Sequence, residues 1–148
     1  MRISSKGRYA LVAMIYMAEH FNCGKFITVI SISEKFRISK IYLEQVFSLL
    51  KKGGLVTSVK GSQGGYQISR SPDEITVYDI LSAIENTLFE DAEETVAESA
   101  PAIEKTLRSS VFDTLDKSVM QSLNSVTLAD LVKETAQNTD EQSIMYYI

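Results

Sequence analysis

Cysteine and histidine are nearly absent from this chain of 148 residues, which contains one of each. The single cysteine, Cys23, excludes an intramolecular disulfide and any metal cluster held only by this chain's own cysteines. The single histidine, His20, cannot by itself form a metal site or a catalytic dyad. Nucleophile–base pairs, metal-ligand spacings and phosphate loops are also missing from the sequence. We therefore expect a protein that is not an enzyme and holds no metal or cofactor.

Long apolar runs are absent as well, since no stretch approaches the ~20 residues that a membrane span requires. The N-terminal segment MRISSKGRYALVAMIYMAEHF places basic residues before apolar ones, as a signal peptide does. However, Glu19 and His20 close that segment, and no small-residue cleavage site follows. We expect a cytoplasmic protein without a membrane partner.

Charge is divided unequally along the chain. Residues 1–80 contain 11 Lys/Arg and 6 Asp/Glu, a net charge of +5, whereas residues 81–148 contain 4 and 13, a net charge of -9. The basic half favours nucleic-acid binding, which the overall net charge of -4 conceals. The alternative is that the two halves simply attract each other.

A wide apolar stripe predicts a first helix over 6–22, and a short β-rich segment, FITVI (26–30), follows it. Two successive helices are predicted after this segment. The next helix is predicted over 31–37, and Ser39 is a suitable N-cap for the one that follows. That last helix has apolar residues at i, i+3, i+4 and i+7, which predict one buried stripe: Leu43, Val46, Phe47 and Leu50. Its separate, mostly polar face contains Lys40, Ile41, Glu44, Ser48 and Lys51. This pattern is typical of a helix-turn-helix, although a solvated surface helix has the same pattern.

A glycine-tipped hairpin is predicted directly after this helix. Gly53 and Gly54 end the helix, and the segments LVTSVK and YQISR flank GSQGG (61–65). Lys60 lies at the hairpin tip and Arg70 at its far end, where cations suit phosphates or a minor groove. We therefore predict a mainly α fold with a small β-hairpin wing, that is, a winged helix-turn-helix domain. The glycines match neither standard nucleotide-binding motif.

The acidic half is predicted to mediate association. A helix capped by Thr76 and Asp79 ends the first domain (1–86), and an acidic loop follows (87–100). A long helix after Pro101 places apolar residues every fourth position: Ile103, Leu107, Val111, Leu115, Val119 and Leu123. This stripe favours dimerisation over packing on its own domain. A helix capped by Thr127 completes residues 101–137, and the apolar tail (138–148) is expected to dock on its own chain or on its partner's.

Four segments stand in order along the chain: MRISSKGRYAL at the N-terminus, YLEQ (42–45), GLVTSVKG (54–61) and GGYQISR (64–70). Together they resemble the Rrf-type family of bacterial winged-helix regulators, which includes IscR, NsrR and CymR. The resemblance is close over residues 1–86 and looser through the long helix and VTLADLV. It implies a homodimer that binds a palindromic operator in double-stranded DNA and usually represses transcription.

The resemblance also implies roles for particular residues. Ser39 and Glu44 match family positions that contact base edges, and a carboxylate in a major groove can accept a hydrogen bond from a cytosine amino group. Lys60 stands where many members have arginine, so we expect it to contact the DNA backbone. Ile41 stands where some relatives have a small polar residue, and its contact could be apolar. The residues predicted to contact DNA are Ser39, Lys40, Ile41, Tyr42, Glu44, Gln45, Ser48, Lys51, Lys60, Ser62, Gln63 and Arg70.

The loop before the long helix, which holds the sensor in part of the family, is where this chain departs from those members. Members that hold an iron–sulfur cluster use cysteines in the loop before the long helix, and here that loop contains none. The chain therefore resembles the cluster-free branch, with the CymR-type regulators of cysteine and sulfur metabolism as the best match. That branch implies control through a partner enzyme, cysteine synthase. Cys23 is either a redox-sensitive thiol or an incidental, partly buried cysteine, and we favour the second.

Three functions remain open from the sequence. The first is a dimeric, sequence-specific DNA-binding repressor. The second is a protein-interaction module that keeps the winged helix but acts mainly through a partner enzyme. The third is a thiol-based redox regulator that uses Cys23.

Overall fold

The computed structural model describes residues 2–62 and 64–147 of the chain. Its first half contains three helices, α1 (Ser5–Glu19), α2 (Val29–Phe36) and α3 (Lys40–Lys52), and two antiparallel strands, β1 (Val56–Val59) and β2 (Gly65–Ile68). A short 3-10 turn (Pro72–Glu74) leads to α4 (Val77–Ile84). The second half contains α5 (Pro101–Leu107), a π-helical turn (Arg108–Phe112), α6 (Asp113–Asn124) and α7 (Leu128–Tyr147).

The hydrophobic core lies between α1, α3 and α4, with α7 packed against α1. Helix α1 contributes Ala10 and Ala13, whose small, fully buried side chains let neighbouring helices approach closely. The four residues of the predicted α3 stripe are all fully buried, so that prediction is confirmed. Leu128 of α7 is also fully buried and joins the C-terminal helix to the same core.

Three boundaries in the first half differ from the prediction. Helix α1 ends at Glu19, three residues early, because the chain turns there through Asn22 and Gly24, both at positive φ (66° and 74°). The predicted FITVI strand is wrong beyond Ile27, which forms a single antiparallel bridge with Tyr66. Helix α2 begins at Val29 because the hydroxyl of Thr28 accepts a hydrogen bond from the Ser31 N–H (3.1 Å) and caps it.

The wing and the capping motifs follow the prediction. The hairpin pairs β1 with β2 from Val56↔Ile68 to Val59↔Gly65. At the start of α4, the Asp79 N–H donates to the Thr76 hydroxyl (3.1 Å), and the Thr76 N–H donates to the Asp79 carboxylate (2.9 Å). These paired bonds confirm the predicted capping box.

The long helix after Pro101 has the predicted extent, whereas the last helix is longer than predicted. Residues 101–124 form one continuous helical run, because the π-helical turn at Arg108–Phe112 connects α5 to α6 without a break. Helix α7 continues to Tyr147, since no glycine or proline follows its Thr127–Asp130 cap, and position 137 is therefore not a structural boundary. Over residues 2–62 and 64–147, no helix has both the length and the apolarity to cross a membrane.

Candidate nucleic-acid interface

The turn between α2 and α3 is held by local hydrogen bonds. Arg37 adopts the left-handed conformation (φ 56°), and the Ser33 hydroxyl donates to the Ile38 carbonyl (2.6 Å). The Ile38 side chain is buried, and its N–H donates back to the Ser33 carbonyl (3.2 Å). Ser39 then caps α3, its hydroxyl accepting from the Tyr42 N–H at 3.5 Å. This turn sets the direction in which α3 leaves α2.

Helix α3 separates its two faces as the sequence predicts. Opposite the buried stripe lies a continuous exposed face made of Lys40, Ile41, Glu44, Gln45, Ser48 and Lys51. Ile41 is 70% exposed, although isoleucine is among the residues most often buried in proteins. The structure therefore brings six of the predicted DNA-contacting residues onto one protruding face.

Glu44 is held only loosely on that face. Its carboxylate lies 3.7 Å from the Lys40 ammonium, and both side chains are more than half exposed. Exposed pairs of this kind stabilise a protein by less than about 1 kcal/mol, so the carboxylate can turn toward a new donor at little cost. A cytosine amino group in a major groove is such a donor.

The start of α1 lies at the edge of the α3 face. The Lys6 ammonium is 5.7 Å from the centre of the Tyr42 ring, and that ring packs edge-on against Tyr9 at 5.4 Å. Lys6, Ile41, Gln45 and their neighbours line a shallow groove of about 480 Å³. Lys6 is a cation that the sequence prediction missed. The basic MRISSKGRYAL segment was the available signal, but it did not indicate which side of α1 faces α3.

The wing presents exposed residues at its tip. Lys60 follows β1 directly, and both Lys60 and Ser62 are exposed. A Cβ at Gly64 would overlap the carbonyl oxygen of Val59, so the tight return of the chain requires a glycine there. Gln63 lies outside the described residues.

Arg70 is engaged at the base of the wing. Its guanidinium pairs with the Asp79 carboxylate at 3.2 Å and donates to the Glu74 carbonyl at 3.3 Å. Asp79 also belongs to the capping box of α4, so this contact ties the end of the hairpin to α4. Arg70 thus lies apart from Lys60 at the wing tip, and its contact with Asp79 is structural.

The long helical run leaves its apolar stripe uncovered by the described chain. Ile103 and Leu115 are each 58% exposed, and Leu107 and Val111 are also exposed. Val119 and Leu123, near the end of the run, are half-buried. The tail of α7 is more exposed still, with Ile144, Met145, Tyr146 and Tyr147 between 61% and 91% exposed. These residues do not dock on the rest of the described chain.

Cys23 is exposed, which corrects the expectation of partial burial. It lies in the turn after α1, where its thiol is 3.7 Å from the Lys25 carbonyl and contributes nothing to the core. The His20 ring lies against Tyr16, with Nδ1 2.8 Å from the Tyr16 carbonyl oxygen. His20 is therefore the C-cap residue of α1.

A helix-turn-helix with an exposed polar face on its second helix, followed by a glycine-tipped hairpin, defines a winged-helix DNA-binding protein. The comparison with protein families agrees with this class. The chain belongs to the Rrf2 family of transcription regulators, because the family model, described as "Iron-dependent Transcriptional regulator", matches residues 3–134.

Sequence relatives extend over nearly the whole chain. The HTH-type transcriptional regulator IscR of Pectobacterium atrosepticum is 39% identical over 145 residues, which cover 96% of this chain and 87% of the relative. IscR of Aliivibrio salmonicida is 37% identical over 147 residues, covering 97% and 86% of the two chains. These relatives are named as regulators of transcription.

Solved structures with the same fold include both CymR and IscR. CymR of B. subtilis, the global cysteine regulator, matches with a TM-score of 0.73 and 33% identity, covering 90% of this chain and 98% of that one. IscR of T. potens matches with a TM-score of 0.69 and 37% identity, covering 91% and 88%. The mainly helical fold with a winged hairpin is thereby confirmed.

The family description implies iron, and this chain's residues do not fit an iron centre of their own. Over the part of the chain that the structure describes, no three His, Cys, Asp or Glu side chains are grouped to hold a metal ion. The loop before the long helix contains no cysteine, and the single thiol lies in the turn after α1. A cluster held by thiolates of this chain alone therefore lacks its ligands.

Proposed function

We propose that this chain is a homodimeric repressor that binds a palindromic DNA operator through the exposed face of α3, with the wing on the backbone beside it. The observation that carries the proposal is the protruding α3 face, which is flanked by the Lys6 ammonium at its edge. A helix that buries one stripe completely and exposes the other can enter a major groove without losing its core contacts.

Within this interface we assign different tasks to Glu44 and Lys60. Glu44 is exposed and weakly paired, so it can accept a hydrogen bond from a base and contribute to sequence preference. Lys60 at the wing tip is a point charge suited to a phosphate, which contributes affinity for any sequence. The other residues of the α3 face extend the contact along the groove.

Dimerisation is supported by the uncovered apolar stripe on the run 101–124. Two copies of this stripe crossing about a twofold axis would bury each other, as an isologous interface requires. The same twofold axis would place two α3 helices on a palindrome. The repressor role rests on the family resemblance.

A role in cysteine metabolism is supported by the likeness to CymR, the global cysteine regulator of B. subtilis, and by the absence of cysteine from the loop 87–100. The sequence relatives at 37–39% identity are named IscR, so the subgroup stays a prediction. The comparisons do not support cysteine synthase as a partner, and that expectation also stays a prediction.

The proposal is tested by selecting genomic fragments of the source organism with the purified full chain, then measuring binding of the best fragment across salt concentrations. We expect enrichment of a palindrome, two chains per site and a steep salt dependence. Enrichment, beside the palindrome, of genes that encode enzymes of sulfur-compound metabolism would support the CymR-like subgroup. Weak binding that ignores sequence would overturn the operator proposal.

Two substitutions separate the tasks of the helix and the wing. Glu44→Ala should relax base preference more than it weakens nonspecific binding. Lys60→Ala should weaken all sequences alike and lower the salt slope by about one unit. Glu134→Ala and Lys133→Ala remove matched, exposed charges from α7 and should change neither property. Exchanged outcomes for Glu44 and Lys60 would show that the assigned roles are reversed.

The exposed α7 tail favours one alternative, a module that acts mainly by binding another protein. Tyr146 and Tyr147 are each 91% exposed, and apolar side chains at a helix end suit a partner's groove. This alternative predicts a partner complex that is insensitive to Glu44→Ala and Lys60→Ala. Deleting residues 144–148 would abolish that complex and leave operator binding intact.

A further inference from the structure

The first turn of α1 carries charge of an unfavourable sign. Arg2, Lys6 and Arg8 surround the helix start, and that turn contains no acidic residue. The N-terminus of a helix has a partial positive charge, so cations there repel it and anions stabilise it. Some other part of the chain must offset this charge if the turn is to stay ordered.

Glu85, at the end of α4, supplies the missing anion. One of its carboxylate oxygens, Oε1, accepts hydrogen bonds from the Ser4 backbone N–H (2.9 Å) and from the Ser4 hydroxyl (2.6 Å). The same hydroxyl accepts from the Gly7 N–H (3.1 Å) and caps α1. In a capping box an acidic residue three positions into the helix bonds to the cap; here a residue 81 positions away does so.

Gly7 leaves room for this carboxylate. A Cβ at position 7 would overlap Oε1 of Glu85 and crowd the Ile3 side chain. Glycine is unfavourable inside a helix by roughly 0.5–1 kcal/mol relative to alanine, so its use in the first turn needs a reason. The close approach of the Glu85 carboxylate to the backbone is such a reason.

We propose that Glu85 is a positioning residue for DNA binding, which fixes the first turn of α1 so that Lys6 stays beside Tyr42 at the edge of the α3 face. Lys6 lies within the turn from Ser4 to Gly7 that Glu85 holds, and its ammonium lies 5.7 Å from the Tyr42 ring. Without Glu85, the repelled first turn would fray, and DNA would have to order it again on binding. The inference rests on the proposed function, because it assigns a role within that interface.

Glu85 also lies where the two halves of the chain meet. With Arg2, Leu115, Val119 and their neighbours it lines an open cavity of about 420 Å³. Leu115 and Val119 belong to the predicted dimerisation stripe. The residue that orders the cationic start of α1 is therefore adjacent to the helix that we expect to form the dimer.

The test compares Glu85→Ala and Glu85→Gln with wild type, using the full chain and the operator fragment selected by wild type. We expect Glu85→Ala to weaken binding about 10-fold at physiological salt and to lower the salt slope by about one unit, the value of one lost phosphate contact. Glu85→Gln keeps an acceptor for Ser4 but loses the charge, so it should recover part of the affinity.

Asp130→Ala is the matched structural control. Asp130 accepts from the Thr127 N–H at 2.9 Å, so this variant loses an equivalent carboxylate bond at the start of α7. It should lower thermal stability without changing the salt slope. A fall in affinity and slope equal to that of Glu85→Ala would reduce the role of Glu85 to general stability and overturn the inference.

A double-mutant cycle with Lys6→Ala provides the decisive readout. If Glu85 acts through Lys6, Glu85→Ala should weaken binding much less in the Lys6→Ala background than in wild type. Additive losses of binding free energy in the two variants would refute the positioning role and leave the proposed function intact. So would an unchanged salt slope in Glu85→Ala while wild type binds its operator. Failure of wild type to bind any DNA specifically would overturn the proposed function together with the inference.

Discussion

Replacing Leu115 with alanine should weaken self-association of this chain. Leu115 belongs to the stripe on the run 101–124 and is 58% exposed in the isolated protomer. Burying a whole leucine side chain is worth about 1.5–3 kcal/mol, so covering the part still exposed is worth about 1–1.5 kcal/mol. A twofold interface contains the residue twice, which brings the loss in the variant to about 2–3 kcal/mol.

That loss corresponds to a dissociation constant raised about 30- to 150-fold, since each 1.4 kcal/mol is a factor of about ten. Sedimentation velocity over a dilution series measures the change directly. Ile41→Ala is the matched control, because it truncates an apolar side chain that is 70% exposed but lies on α3. We expect its self-association to equal that of wild type.

Two results would refute this reasoning. A wild-type chain that sediments as a monomer at high concentration would remove the dimer itself. An Ile41→Ala variant that dissociates as readily as Leu115→Ala would place the interface elsewhere.

Three further outcomes are expected. Gly65→Ala should lower the melting temperature more than Gly61→Ala: both positions have positive φ (143° and 123°), but only a Cβ at 65 meets the Ile27 backbone, at 2.7 Å, so an equal loss would exclude that contact as the cause. Hydrogen bonds from the Thr127 backbone and then its side chain hold the pKa of Asp130 below its ordinary value of 3.8. The stabilisation that the Asp130 carboxylate contributes is therefore complete above about pH 4 and is lost as pH falls through its pKa in the folded state. On acidification, the melting temperature of Asp130→Asn should therefore fall less than that of wild type. Cys23→Ser should bind the operator like wild type in reducing buffer; a peroxide-induced release seen only in wild type would establish the redox-sensor alternative.

Local patterns could be predicted from the sequence because their partners lie within a few residues. The spacing of Leu43 and Phe47 predicted the buried face of α3, since helical geometry alone places positions i and i+4 together. The cap of α4 at Thr76 and Asp79 was predicted for the same reason, as three residues separate donor and acceptor. The winged-helix class followed from the order of such local elements.

Contacts between distant segments were not predictable in this way. The predicted strand FITVI is reduced to one bridging residue, Ile27, because α2 begins at Val29, and only the folded hairpin provides the bridge's partner, Tyr66. The hydrogen bonds from Ser4 to Glu85 join residues 81 positions apart, and no periodicity indicates them.

The sequence by itself determined which faces of α3 and of the run 101–124 are apolar, because side-chain order and helical geometry decide that locally. Only the tertiary structure decided that Lys6 lies beside Tyr42, that Arg70 is tied to Asp79, and that Glu85 completes the cap of α1. Each of these contacts depends on how α1, α4 and the hairpin pack around one core, and that packing is a property of the whole chain rather than of any segment.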